Sequence, residues 1–320
     1  MFLYFLAFTI SLVIVLITIP PIRKLAFKID FVDKPSKRKI HKIPVPQLAS
    51  ISIFLGFFIT FWIFNDQIRD HSIPIFMGSL LIIGIGLVDD WFKTKGKEFP
   101  AWPKAAVQLL AAVLIYYSGI VFTGFANPIS GEYIILPAFL QFALTVLWIF
   151  GVTTVINFMD GLDGLTGGIT TISAITLFIV ALFKGQQESA ILSIILLGTT
   201  LGYLKYNKPP AKIYMGDAGA TFLGYMLAII SLNGAFKQAT LLSILIPILV
   251  LSVPIFDNLY VIIKRFLQGK PIYIADRSQI HYRLISKGLN PKQSTAFIFL
   301  LSTCFSLLAI IVLLIDSFKL

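Results

Sequence analysis

The stretch F-L-Q-F-A-L-T-V-L-W-I-F-G-V-T-T-V-I-N-F, Phe139 to Phe158, decides the class of fold. Its 20 residues contain no charged side chain, and a helix of about 20 apolar residues crosses the hydrocarbon core of a bilayer. Similar runs recur along the 320-residue chain, which is 57% hydrophobic and 13% charged, against about 25% charged in soluble domains. We therefore predict an all-α polytopic membrane protein, because a β-barrel would show short alternating segments instead.

Ten apolar runs are candidate membrane spans. They lie near residues 3–22, 48–64, 73–88, 103–118, 136–156, 166–183, 189–204, 218–234, 240–263 and 294–315. The first run has no basic region before it and no small-residue cleavage site, so we expect a retained helix rather than a signal peptide. An even number of spans places both termini on one side of the membrane. We expect residues 1–320 to form a single integral membrane domain.

The basic residues divide the connecting loops into two sets. One set contains 22 of the 26 lysines and arginines. Its loops lie near residues 23–47, 89–104, 157–165, 205–217 and 264–293. The positive-inside rule assigns these loops to the cytoplasm, so both termini are predicted to be extracytoplasmic. The net charge of +11 then reflects orientation and attraction to anionic membrane lipids, and it does not indicate nucleic-acid binding.

Acidic residues gather at the predicted cytoplasmic ends of the spans. Five of the 15 acidic residues lie there: Asp89, Asp90, Asp160, Asp163 and Asp217. A lone aspartate in such a place would mark the aqueous boundary or cap a helix. Five on one face are harder to explain in that way, since like charges raise one another's pKa unless a cation lies among them. Mg²⁺ binds carboxylates and completes its ligands with waters and phosphates, so we predict a magnesium and phosphate site at the cytoplasmic face.

Glycines and basic loops extend this prediction. The segment D-G-L-D-G-L-T-G-G, residues 160–168, offers a backbone that a bulky ligand can approach closely, with amides available to an anion. Two basic loops are candidates to contact phosphate. The alternative is that they are solvated loops whose positive charge only determines the orientation of the chain in the membrane. Their candidate residues are Lys34, Arg38 and His41 in the first loop, and Arg277, His281 and Arg283 in the last.

Four segments together resemble the cytoplasmic motifs of one family. They are G-L-V-D-D-W-F-K (86–93), V-I-N-F-M-D-G-L-D-G-L (155–165), Y-N-K-P-P-A-K-I-Y-M-G-D-A-G-A-T-F-L-G (206–224) and D-R-S-Q-I-H-Y-R-L (276–284). The family is that of the polyprenyl-phosphate N-acetylhexosamine-1-phosphate transferases, which includes MraY, WecA and TagO. The segment V-P-I-F-D-N-L-Y-V-I (253–262) and the last loop are more similar to the WecA/TagO branch.

The resemblance implies a fold and a reaction. The implied fold has ten helices, often in a homodimer, with Mg²⁺ or Mn²⁺ as the cofactor. The implied reaction transfers N-acetylhexosamine 1-phosphate, with GlcNAc as the default of the branch, from a UDP-sugar to undecaprenyl phosphate and releases UMP. It would be the first membrane step of a cell-envelope glycan at the bacterial plasma membrane. An MraY-type transferase and, in a different class, an anionic-solute transporter or flippase with broken helices remain alternatives.

The resemblance also implies roles for individual residues. The implied catalytic residues are Asp89, Asp90, Lys93, Asp160 and His281. The implied substrate-binding residues are Asn157, Gly161, Leu162, Asp163, Asn207, Tyr214, Lys97 and Lys104. Asp217 is the implied metal ligand, with Asp89 and Asp160 as further candidates. Gln279 and Tyr282 stand where the branch has histidines, which leaves His281 without its usual neighbours.

Two mechanisms remain open from the sequence. In the first, the lipid phosphate attacks directly, Asp217 holds Mg²⁺ and Asp89 orients or deprotonates the acceptor. In the second, Asp90 forms a covalent aspartyl-phosphate. Asp257 lies about 10 Å deeper along its helix than Lys264, and we expect it to pair with a basic group or a backbone donor.

Overall fold

The computed structural model describes residues 1–35, 43–64, 66, 71–127, 131–235, 240–269 and 278–318. This described part contains twelve helices and four short strands. The first six helices are α1 (Phe2–Lys28), α2 (Ala49–Ile63), α3 (Ser72–Thr94), α4 (Ala101–Tyr117), α5 (Ala138–Phe158) and α6 (Leu165–Phe183). The last six are α7 (Gln187–Asn207), α8 (Gly216–Ala235), α9 (Leu241–Val250), α10 (Ser252–Leu267), α11 (Ile280–Ser286) and α12 (Pro291–Phe318). The strands are β1 (Val32–Asp33), β2 (Val45–Pro46), β3 (Gly124–Ala126) and β4 (Tyr133–Ile135).

The long apolar runs form helices, as the sequence predicts. A bilayer offers no water to backbone amides and carbonyls, so a spanning segment must satisfy them within itself. Six helices of the described chain, α1, α3, α5, α6, α7 and α12, are long and apolar enough to cross a membrane, and the bent pair α9 and α10 raises this number to seven. The prediction of an all-α polytopic membrane protein is thus confirmed, whereas the number of ten spans stays a prediction.

The ninth apolar run differs from its prediction. The sequence predicts one span over residues 240–263, but α9 and α10 meet at Leu251 with a bend of 78°. Pro247 and Pro254 flank the bend, and each proline removes a backbone donor from the helix ladder. One face of α10 exposes large apolar side chains: Phe256, Leu259, Tyr260, Ile263, Phe266 and Leu267. Its opposite face buries Asp257 and Asn258, so α10 turns its polar side toward the protein.

Helix α8 lies at the centre of the bundle and packs against α3 and α5. Small residues allow this close packing, as is common between membrane helices. A Cβ atom at Gly86 of α3 would lie 2.3 Å from the Cα atom of Ala218 in α8, which leaves no room for a side chain. The end of α3 is therefore held directly against the start of α8.

Two small antiparallel hairpins complete the described structure, and the sequence did not predict them. In the first, Val32 of β1 pairs with Pro46 of β2. The chain after β2 also binds the loop that precedes α8, since the Tyr214 amide donates to the Pro46 carbonyl (2.8 Å) and the Ala49 amide donates to the Tyr214 carbonyl (3.0 Å). The chain between β2 and α2 is thereby fastened beside the start of α8.

Candidate active site

One end of the bundle collects the polar residues that the sequence singled out. Short connections join α3 to α4, α5 to α6 and α7 to α8, so the ends of α3, α5 and α7 lie near the starts of α4, α6 and α8. The predicted motifs lie at these ends, which is why residues more than 100 positions apart meet: Asp89 on α3 and Asp217 on α8 share the same lysine.

Four charged side chains form the centre of the site, and we call Asp89, Lys93, Lys104 and Asp217 the charge quartet. Lys93 lies 2.7 Å from Asp217 Oδ1 and 3.3 Å from Asp89 Oδ2. Lys104 donates to Asp89 Oδ2 at 2.8 Å and also to Asp217 Oδ2. Lysines and carboxylates alternate, so each charge lies between two of the opposite sign. Two ammonium groups are thus held between two carboxylates at this end of the bundle.

Asp90 differs from its neighbour Asp89, although the sequence grouped them. Asp90 is fully buried, and its two oxygens accept from the amides of Asp217 (2.8 Å) and Ala218 (3.1 Å). Gln47 Nε2 donates to the same carboxylate at 2.9 Å. Asp90 therefore binds the first turn of α8, outside the charge quartet.

Asn157 and Asp160 supply further oxygen atoms beside Asp217. Asn157 Nδ2 donates to Asp217 Oδ2 at 3.3 Å, while the buried Asn157 Oδ1 has no hydrogen-bond partner among the described residues. Asp160 is exposed by surface area, yet the protein atoms packed around its carboxyl desolvate it and, with the charge of Asp217, raise its pKa to about 7. Asn157 projects from the last turn of α5 and Asp160 from the loop that follows it.

The oxygen atoms of the site suit a hard divalent cation that is held by few protein ligands, rather than one enclosed by protein ligands alone. The site contains four carboxylates and two lysines, which leaves an excess of two negative charges when all are ionised. The carboxylates are those of Asp89, Asp90, Asp160 and Asp217. Within the described ranges, no group of three His, Cys, Asp or Glu side chains is placed to hold a metal ion. Mg²⁺ is usually held by one or two carboxylates together with waters and substrate phosphates, and Asp217 beside the unpartnered Asn157 Oδ1 suits this mode.

The loop between α5 and α6 is fixed to the loop before α8. Asp163 accepts from the Ala211 amide at 2.9 Å and from the Tyr214 hydroxyl at 3.2 Å. Asn207 accepts from the Gly164 amide at 2.8 Å and donates to the Ile213 carbonyl at 3.0 Å. The polar groups of Asp163 and Asn207 are thus engaged within the protein, where they hold the segment with Gly161 and the buried Leu162 beside Tyr214.

His281 packs onto this loop from α11. A Cβ atom at Gly161 would lie 2.1 Å from His281 Nε2, so only glycine accommodates the ring there. His281 is 1% exposed, and neither of its ring nitrogens has a partner among the described residues. Burial lowers its pKa to about 4, so the imidazole is neutral at physiological pH and offers one donor and one acceptor.

The position of α11 depends on α10. Asp257 accepts from the Ile280 amide at 3.0 Å and from Arg283 Nη2 at 2.7 Å, and Arg283 lies 4.0 Å from the centre of the Tyr260 ring. The prediction that Asp257 pairs with a basic group or a backbone donor is confirmed, since it does both. Arg283, a predicted phosphate ligand, binds this carboxylate instead of pointing freely into the site.

The remaining predicted residues lie away from the charge quartet or outside the described residues. Lys34 is exposed and pairs with Asp30 at 2.9 Å, and Lys97 is exposed beyond the end of α3. Arg38, His41 and Arg277 lie outside the described residues. Sequence reasoning missed Gln47 and Tyr260, because a single glutamine or tyrosine without a motif gives no signal of the partner that folding brings to it.

Comparison with known proteins places the chain among membrane transferases. Residues 72–235 match the family model described as glycosyl transferase family 4. A protein of Bacillus subtilis (strain 168), named probable undecaprenyl-phosphate N-acetylglucosaminyl 1-phosphate transferase, is 40% identical over 305 residues, which cover 95% of this chain and 84% of the relative. Decaprenyl-phosphate N-acetylglucosaminephosphotransferase of Mycobacterium tuberculosis (strain ATCC 25618 / H37Rv) is 29% identical over 88% of this chain and 75% of its own length. Undecaprenyl-phosphate alpha-N-acetylglucosaminyl 1-phosphate transferase of Escherichia coli (strain K12) is 26% identical over 86% of this chain and 75% of its own length.

Proposed function

The chain belongs to glycosyl transferase family 4, among the polyprenyl-phosphate hexosamine-1-phosphate transferases, and we propose that it transfers GlcNAc 1-phosphate from UDP-GlcNAc to undecaprenyl phosphate. One observation carries the proposal: a membrane bundle brings Asp89, Asp217 and two lysines together at a single end. A polyprenyl tail is soluble only in the bilayer, whereas a sugar nucleotide is soluble only in water. Their phosphates must therefore meet at an interface, where this end of the bundle lies.

The acceptor needs little activation. A phosphate monoester has a second pKa of about 6 and is mostly a dianion at neutral pH. An oxygen of this dianion attacks the β-phosphorus of UDP-GlcNAc, the bond from that phosphorus to the bridging oxygen breaks, and UMP leaves with the electron pair. The products are UMP and undecaprenyl-diphospho-GlcNAc. The main barrier is the approach of two anions, so the site must supply positive charge.

The chain's own residues provide much of that charge. Lys93 and Lys104 lie within hydrogen-bonding reach of Asp217, and they can exchange these carboxylate contacts for phosphate oxygens. Asp89 lies between the same lysines and is the candidate to orient the acceptor. Asp217, with Asn157 Oδ1 beside it, would hold Mg²⁺ or Mn²⁺, which supplies charge neutralisation at the transferring phosphate when bound.

We propose the following setting for this chemistry. The chain would cross the membrane ten times with extracytoplasmic termini, and the charge quartet would lie on the cytoplasmic face of a bacterial plasma membrane. The 22 basic residues in the loops of that side support this orientation. The surface around Gly161, Leu162 and Tyr214 would receive the uracil. Dimer formation rests on the family resemblance alone.

One assay tests the function. Purified full-length protein with UDP-GlcNAc, undecaprenyl phosphate and Mg²⁺ should release UMP, and Asp217→Asn should release little. Asp316→Asn is the matched control, because Asp316 accepts from the hydroxyls of Thr240 and Ser243 at the other end of the bundle (2.7 Å each). Release of UMP only from UDP-MurNAc-pentapeptide would favour an MraY-type enzyme. If no UDP-N-acetylhexosamine yields UMP, the transferase proposal is wrong.

A further inference from the structure

Asp90 makes contacts that do not suit a group that touches substrate. It is 0% exposed, and its carboxylate accepts from Gln47 Nε2 and from the amides of Asp217 and Ala218. These two amides belong to the first turn of α8, where backbone donors have no partner within the helix. A carboxylate at this place satisfies them and interacts favourably with the helix dipole. Asp90 therefore caps α8 from a different helix.

Two glycines serve this same contact. Gly216 has a φ of +67°, and a Cβ atom there would lie 2.2 Å from Asp90 Oδ2. Gly86, about one helical turn before Asp90, allows α3 to approach Ala218 closely. A side chain at either of these two positions would prevent the Asp90 carboxylate from reaching the start of α8 as it does here.

The contact determines where Asp217 lies. The Asp217 amide is bound to Asp90 Oδ1, while the Asp217 carboxylate binds Lys93 and Lys104. Successive residues on a helix point about 100° apart, so Asp89 faces the charge quartet while Asp90 faces α8. The two neighbouring aspartates thus have different surroundings, and of the two only Asp89 meets the lysines within 4 Å.

We propose that Asp90 is a positioning residue, which holds the first turn of α8 so that the Asp217 carboxylate is aimed into the site. This proposal rests on the proposed function, because it gives Asp217 its purpose. A covalent intermediate on Asp90 is disfavoured by the same geometry, since both oxygens are occupied and no surface of the residue is open to a substrate. Gln47 extends the arrangement to the segment between β2 and α2, because its side-chain amide binds the Asp90 carboxylate at the end of α3.

The experiment compares four full-length variants: Asp90→Asn, Gly216→Ala, Asp89→Asn and, as a distant structural control, Asp316→Asn. Melting temperature, Mn²⁺ binding in the presence of UDP by electron paramagnetic resonance, and the Mg²⁺ dependence of UMP release are measured. Asp90→Asn and Gly216→Ala should both lower the melting temperature and weaken Mn²⁺ binding by about 10-fold or more, the usual effect of losing a group that orients a metal ligand. A variant that combines these two changes should bind Mn²⁺ with the affinity of whichever single variant binds it less tightly, because both changes damage the same contact.

The controls separate positioning from chemistry and from general instability. Asp316→Asn should lower the melting temperature without changing Mn²⁺ binding, and Asp89→Asn should lower kcat at an unchanged melting temperature. If Asp90→Asn retains the parent's melting temperature and Mn²⁺ affinity but loses kcat, the proposal is overturned. Should Asp90→Asn fail to fold, Gln47→Leu decides: weaker Mn²⁺ binding supports positioning, and parent values overturn it. A parent that releases no UMP refutes the proposed function, while the melting and Mn²⁺ comparisons still decide the role of Asp90.

Discussion

Substitution of Asp257 by asparagine should release α11 from α10 without removing any atom from the charge quartet. The Asp257 side chain is 1% exposed and accepts from the Ile280 amide and Arg283. A hydrogen bond to a charged group contributes about 1.5–3 kcal/mol. Solvent reaches 32% of the Arg283 side chain, which weakens the ion pair, and asparagine keeps one acceptor oxygen. We therefore expect the docking of α11 to lose about 2 kcal/mol, which raises its undocked population roughly 30-fold.

Hydrogen–deuterium exchange measures this undocking directly. In Asp257→Asn, amides in 280–289 should exchange faster, while amides of α8 should keep the rate of the parent. Because His281 lies on Gly161, the same variant should raise the KM for UDP-GlcNAc more than it lowers kcat. Asp316→Asn serves as the control, since it removes a hydrogen-bonded carboxylate of the same size from the opposite end of the bundle.

Unchanged exchange in 280–289 together with an unchanged KM would refute this reasoning. It would mean that the packing of Leu284 and Ile285 against the small cluster around Met159 and Ile298 holds α11 without the carboxylate. Faster exchange throughout the protein would equally count against it, because the contact would then support global stability rather than the placement of one helix.

Four other substitutions test the surface around His281 and the loop that it contacts. Gly161→Ala should cost about 1–3 kcal/mol through overpacking against the imidazole, seen as a lower melting temperature and a higher KM for UDP-GlcNAc; parent values for both would contradict the contact. Since burial lowers the pKa of His281 to about 4, the unfolded chain binds this proton first, and the folded state loses stability as pH falls from about 6.5 to 4. His281→Gln should flatten that fall in melting temperature, and an equally steep fall would show that other groups cause it. Asp163→Ala should mainly weaken UDP binding in calorimetry, whereas Asp160→Ala should mainly lower kcat; equal effects on one constant would show that the two carboxylates do not have separate roles.

Much of the architecture follows from the sequence, and one exception has a clear cause. Uninterrupted apolar runs such as Phe139–Phe158 form helices because a bilayer leaves the backbone no alternative. The bend at Leu251 was missed because residues on both sides of it are apolar, so hydropathy continues through the break. Hydropathy indicates which segments are apolar enough to enter a bilayer, but it does not indicate where a helix within such a segment bends.

The candidate site was predictable to a similar degree. The positions of the motifs predict that Asp89, Lys93, Asn157 and Asp217 lie at one end of the bundle, since each motif lies at a helix end. The partner of each polar group was not predictable, because it depends on contacts between residues far apart in sequence. Asp90 and Gln47 are 43 positions apart, and Asp257 and Arg283 are 26 apart.

These partners change how a loss of activity should be interpreted. Asp90, Asp163, Asn207 and Asp257 all carry groups that chemistry could use, yet each binds a backbone amide of another segment. A site at the boundary between bilayer and water needs such fixed loops, because water cannot supply the missing hydrogen bonds of a buried helix end. Substitution of any of the four should reduce activity whether the residue touches substrate or only holds the chain. Metal affinity, KM and local exchange rates separate these two cases, whereas the loss of kcat alone does not.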